Sequence, residues 1–153
     1  MYFLALFFYA VACLGIKILK NNRGEYVIPD FIQSGYSEGI LVKFKETPRR
    51  VVKKHYYLDA YYILFYALAS ITISLASHNV PVVIRWVPAI SGVATAVLDF
   101  LENHILKNYY YDLHRSWMTK IVSRVTRVKA AFAWGWFITV PLYLLWALLR
   151  WLF

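Results

Sequence analysis

The chain has 153 residues, 61% hydrophobic and 16% charged, with a formal net charge of +9. A globule this small leaves a large share of its surface wet, so this composition excludes an ordinary soluble domain and points to a single domain dissolved in lipid. The positive charge lies beside the apolar runs, where anionic lipid attracts each Lys or Arg by about 1 kcal/mol; no soluble recognition domain is left to bind nucleic acid.

The first apolar run, Tyr2 to Ile16, reaches about 18 residues if Lys17 and Lys20 snorkel to the head groups. No basic stretch precedes it and no small-residue cleavage site follows, so a retained span (2–19) is expected. Cys13 is the single cysteine and admits no intrachain disulfide. Residues 21–34, with Gly24 and Pro29, read as loop. Ser37 is placed to cap a short helix through Phe44, whose Ile40, Leu41 and Phe44 share a side suited to the membrane interface. Thr47-Pro48 is a helix-start signal, a capping residue followed by proline. That helix is expected to carry Arg49, Arg50, Lys53 and Lys54 into the second span (56–77) and to end near His78-Asn79, before Pro81.

The third span is expected over about 88–106, followed by an aromatic belt at Tyr109, Tyr110 and Tyr111. Residues 113–129 form a moderately amphipathic helix with Trp117, Ile121, Val125 and Val128 on its apolar side. It continues as one long helix into the fourth span (130–152), with Pro141 a point for a bend. Continuous apolar runs are not the alternation of a barrel. The expected fold is therefore all-α: an integral membrane four-helix bundle in one domain, residues 1–153, with short amphipathic cytoplasmic helices.

Counting Lys and Arg orients it. Segment 20–55, with Lys17 at its edge, holds Lys20, Arg23, Lys43, Lys45, Arg49, Arg50, Lys53 and Lys54, and segment 107–129 holds Lys107, Arg115, Lys120, Arg124, Arg127 and Lys129. The loop between the second and third spans has only Arg85. Both basic segments are expected in the cytoplasm and both termini outside.

The candidate site lies in the third span. Asp99, Glu102 and Asn103 stand at i, i+3 and i+4, on one helical face. Ionisable groups in hydrocarbon are costly, so they face a bundle interior and mark a site by default. Asp59 near the start of the second span falls at the same depth if the two spans are antiparallel neighbours. Stripes of Asp59, Tyr62, Tyr66 and Ser70 on one span, and Ser91, Gly92, Thr95, Asp99 and Glu102 on the other, complete the face. Asp59, Asp99 and Glu102 are the acid–base candidates; Tyr62, Tyr66, Thr95 and Asn103 join them as ligand-binding candidates. Three chemistries fit: packing, with Asp99 and Glu102 paired to Lys54, Lys129 or His55; binding or turnover of a lipid or small ligand; and a cation or proton pathway.

The sequence names no cofactor. No two of His55, His78, His104 and His114 face each other for a haem; the metal readings are Mg²⁺ or Mn²⁺ on the carboxylate and amide oxygens of the cluster, and a zinc site from Asp112, His114 and the acids. From Gly35 to Asn103, just under half the chain, the sequence resembles a group of small four-span membrane proteins found among bacteria. The marks are Tyr36-Ser37-Glu38, the basic stretch with Arg50, Asp59 followed by Tyr66, and Asp99-x-x-Glu102-Asn103. The resemblance implies the four-span fold and brings no activity to any residue. The leading expectation is a non-enzymatic accessory or structural subunit, in contact with membrane lipids and with other membrane subunits or further copies of itself.

Overall fold

Pro48, with φ fixed at −58°, starts the helix around which the others gather. The computed structural model describes residues 1–28, 38–111 and 116–152. Its elements are all helical: α1 (Tyr2–Arg23), α2 (Glu38–Lys45), α3 (Arg49–Ala76), the single turn α4 (Val82–Arg85), α5 (Val87–Tyr111) and α6 (Ser116–Leu152). Four stretches, Tyr2–Arg23, Arg49–Ala76, Val82–Tyr111 and Lys120–Arg150, are long and apolar enough to cross a membrane. They form a four-helix bundle.

Contacts along the seams fix an up–down–up–down order. Tyr2 meets Ser77, the Gly15 backbone lies against the Tyr62 ring, and Asn22 reaches the Val51 carbonyl, so α1 runs antiparallel to α3. Ser74 meets Ala89 and Ser70 meets Gly92, so α3 runs antiparallel to α5. Ser91 faces Gly135, and α6 descends along α5. Trp136 is the central contact: its ring lies 5.6 Å from those of both Tyr9 and Tyr66, beside Gly92. α1, α3, α5 and α6 thus surround one apolar core.

Gly24 ends α1 in the positive-φ region (φ 56°), which a glycine enters without steric cost. A second core sits at the adjacent end of the bundle, where Ile28, Leu41, Phe44, Val52, Leu106, Tyr109, Met118 and Val122 are buried together. It corrects the expectation for α2. Leu41 and Phe44 face the ends of the long helices rather than a lipid interface, because protein apolar surface is there to receive them. Ser37, the expected cap, lies outside the described residues. Thr47 is also reassigned: its hydroxyl donates to the Val27 carbonyl at 3.0 Å instead of capping α3. Its own carbonyl accepts the Tyr110 hydroxyl at 2.6 Å, so this residue ties three segments of the chain together.

Tyr109, expected in an interfacial belt, is 2% exposed and part of that core. Lys45 lies over its ring and Arg49 over that of Tyr111. In α6 the expected apolar face was misplaced. Ile121 and Val128 are exposed; the buried stripe is Met118, Val122, Thr126, Lys129, Ala133, Trp136 and Val140. The turn is set by Lys129, whose burial beside two carboxylates outweighs exposure of two aliphatic side chains. The Trp117 side chain and Asp112 to Arg115 lie outside the described residues. The helix continues unbroken through Pro141. Exposed bases such as Lys20, Arg50, Lys54, Lys107 and Arg124 collect at one end of the bundle, with half-buried Arg85 and exposed Arg150 at the other.

Candidate functional site

Antiparallel packing of α3 on α5 brings their polar residues together in register. The Asn103 side-chain amide donates to Asp59, and about two turns along α3 and one turn along α5 from there the Tyr66 hydroxyl donates to Asp99 Oδ2 at 2.9 Å. Small residues make this closeness attainable. A Cβ on Gly92 would stand 1.9 Å from Ser70 Oγ, so only glycine fits there. The short helix α4 closes the far end of the hairpin, where Arg85 Nε donates to the Ser74 carbonyl at 2.8 Å and the Ala89 amide donates to Ser74 Oγ at 3.1 Å.

The third contribution comes from α6. Lys129 Nζ lies 2.6 Å from Asp99 Oδ1 and also pairs with Glu102 Oε2. The Thr126 hydroxyl donates to Glu102 Oε1 while also approaching the Val122 carbonyl at 2.9 Å. Asp99, Glu102, Lys129 and Thr126 are between 0% and 4% exposed. Each buried carboxylate therefore receives one charged donor and one neutral hydroxyl, Tyr66 for Asp99 and Thr126 for Glu102. This is the pattern that offsets the desolvation cost of buried charge: opposite charges in contact, with the remaining lone pairs satisfied.

The expected site residues divide accordingly. Asp59, Asn103, Tyr66, Asp99 and Glu102 share one polar seam, with Asp59 and Asn103 half-buried at its outer edge. Tyr62 is buried but turned toward α1, with its ring against Gly15 and 5.0 Å from that of Tyr66. Thr95 is buried and returns its hydroxyl to the Ser91 carbonyl at 2.7 Å, the usual way a helical threonine satisfies itself. Of the three basic partners considered for the acids, Lys129 makes the contact; Lys54 is exposed, and His55 is buried beside the Tyr56 ring. Thr126 was missed. In sequence it is one more hydroxyl on a basic helix, and only the rotation of α6 reveals its role.

The arrangement ties α3, α5 and α6 together through charge-assisted bonds among buried side chains. Among the described residues no group of three His, Cys, Asp or Glu side chains is arranged to hold a metal ion. Asp112 and His114, named in the zinc reading, lie outside the described residues. The chain matches no family model, no curated protein and no solved structure.

Proposed function

We propose that this protein is a small integral membrane subunit with a structural or accessory role, acting through helix contacts in the bilayer rather than through chemistry at its acids. One observation carries the reading: Asp99 and Glu102, the buried acids among the described residues, are engaged within the chain by Lys129, Tyr66 and Thr126. Such a cluster is suited to fixing one packing of three helices, the use of buried polar groups best attested in helical assemblies. The outer faces of α1 and α6 support contact with partners or further copies. Phe3, Phe7 and Leu14 on α1, and Trp134, Ile138 and Leu142 on α6, are all at least half exposed. The concentration of bases at one end favours an orientation with that end in the cytoplasm and both termini outside.

Purification in mild detergent followed by native mass measurement tests the role. The expected result is either a multiple of the 18.0 kDa chain or a second polypeptide retained with it. A lone chain carrying only lipid would overturn the subunit reading.

A further inference from the structure

Contacts across the seams fix the heights of the exposed bases along the bundle. Gly15 lies beside Tyr62 and Asn22 beside Val51 on the α1–α3 seam, Asn103 meets Asp59 on the α3–α5 seam, and Thr126 meets Glu102 on the α5–α6 seam. At about 1.5 Å per residue, these registers put Lys20, Lys54, Lys107 and Lys120, one from each long helix, at nearly one height. Lys17, Arg124 and Arg127 stand within about 10 Å of it, toward the far end of the bundle. All of these bases are exposed, as are Tyr57 and Tyr61 in the same band. The acids in or beside the band turn the other way. Asp99 and Glu102 are buried and Asp59 is half-buried, so among the described residues the exposed charge on these helix stretches is positive.

The shape of this band says what covers it. A protein partner docks on one side of a bundle, whereas these bases ring it on every long helix, as the molecules of one lipid leaflet do. The depth agrees. The polar layer of a bilayer is about 5–7 Å thick on each side, and long basic side chains reach several ångströms further along a helix. Exposed tyrosines at the same height belong in that layer. We propose that the band is a collar holding anionic phospholipid, with head-group phosphates drawn to the outward bases. Its densest part is on α6, where Lys120, Arg124 and Arg127 share one face at i, i+4 and i+7. Ile121 and Val128, both exposed, flank that face and offer contact to the lipid below its phosphate. Recognition is by net charge. Phosphatidylglycerol presents one uncancelled negative charge, whereas the ammonium of phosphatidylcholine offsets its own phosphate. The proposal rests on the helices crossing a membrane and is independent of the accessory role, since a lipid collar suits a subunit or a lone chain.

The test is retention of added lipid by the full-length protein in native mass spectrometry from mild nonionic detergent. Phosphatidylglycerol and phosphatidylcholine of matched acyl chains are compared, with inorganic phosphate as a separate arm. Phosphatidylglycerol is expected to be retained about tenfold over phosphatidylcholine, a preference that one or two bases beside an anionic lipid supply. The preference should fall as salt is raised. Lys120→Gln with Arg124→Gln and Arg127→Gln should bring the ratio to about twofold or less, while Arg150→Gln, at the other end of the bundle, should leave it unchanged. These bases are exposed and stand apart from the buried Lys129 pair; if the triple variant nonetheless fails to fold, Arg124→Glu alone carries the test, with a smaller fall in the same ratio. Inorganic phosphate at matched ionic strength should displace no more lipid than chloride does. Equal retention of the two lipids, or the parent's preference kept in the triple variant, would overturn the collar. Displacement by inorganic phosphate would overturn its assignment to a lipid. An acidic polypeptide lost from the triple variant while the lipid ratio holds would overturn it in favour of a protein partner.

Discussion

Gly92→Ala is a one-atom change whose cost can be worked from the helix seam. The new Cβ would lie 1.9 Å from Ser70 Oγ and 2.4 Å from Ser70 Cβ, with Trp136 Cδ1 at 3.2 Å. Ordinary contact needs roughly 3.4 Å or more, so α3 and α5 must separate locally by about 1.5 Å. The Ser70 hydroxyl cannot swing away freely, because it donates to the Tyr66 carbonyl at 2.7 Å. A shift of that size would stretch the Ala89–Ser74 bond, now 3.1 Å, and the Tyr66–Asp99 bond, now 2.9 Å, beyond useful length. Overpacking costs about 1–3 kcal/mol and weakened bonds about 1 kcal/mol more, against a gain of roughly 0.5–1 kcal/mol in helix propensity. The expected net loss is about 1–3 kcal/mol. Reversible unfolding in detergent, followed by circular dichroism, measures it. Gly39→Ala is the control, since nothing lies within 4 Å of a Cβ there and the change should be neutral or mildly stabilising. A Gly92→Ala protein as stable as the parent would refute the close approach of α3 to α5.

Tyr66→Phe removes the 2.9 Å bond to Asp99 while keeping the ring against Trp136, and should cost about 1–2 kcal/mol in the same assay. The cost should shrink in an Asp99→Asn background, and an unchanged penalty there would separate the two residues energetically. For orientation, single cysteines at Lys54 and Asn79 in a Cys13→Ser protein should react differently with an impermeant maleimide applied to intact cells. Position 79 is expected to label and position 54 to stay protected; the reverse pattern would invert the proposed topology.

Much of the polar seam was legible because two regularities act together. The i, i+3, i+4 spacing of Asp99, Glu102 and Asn103 puts them on one face, and a short connection makes their partner helix antiparallel, which sets the depth of Asp59 and Tyr66. The contribution of α6 was legible only in part: Lys129 was one of three candidate partners for the acids, beside Lys54 and His55, and Thr126 was not among the candidates. Lys120, Arg124, Arg127 and Lys129 are alike as residue types, yet the first three are exposed and the last is 1% exposed. Which of four bases turns inward depends on where another helix places its carboxylates, and that is tertiary information. The apolar side of α2 is ambiguous for a related reason: Leu41 and Phe44 satisfy a lipid interface and a protein surface equally well. Thr47 shows the same limit at a turn. A hydroxyl beside a helix start is a capping signal only until a nearer carbonyl, here that of Val27, competes for it.

The most direct test is to strip Lys129 from its two carboxylates and then remove the charges it neutralised. Lys129→Met alone should cost about 3–5 kcal/mol in detergent unfolding, because it strands buried acid, while Lys129→Met with Asp99→Asn and Glu102→Gln should recover most of that loss. A single variant within about 1 kcal/mol of the parent, or a triple variant no better than the single, would mean that these three side chains do not hold the bundle together.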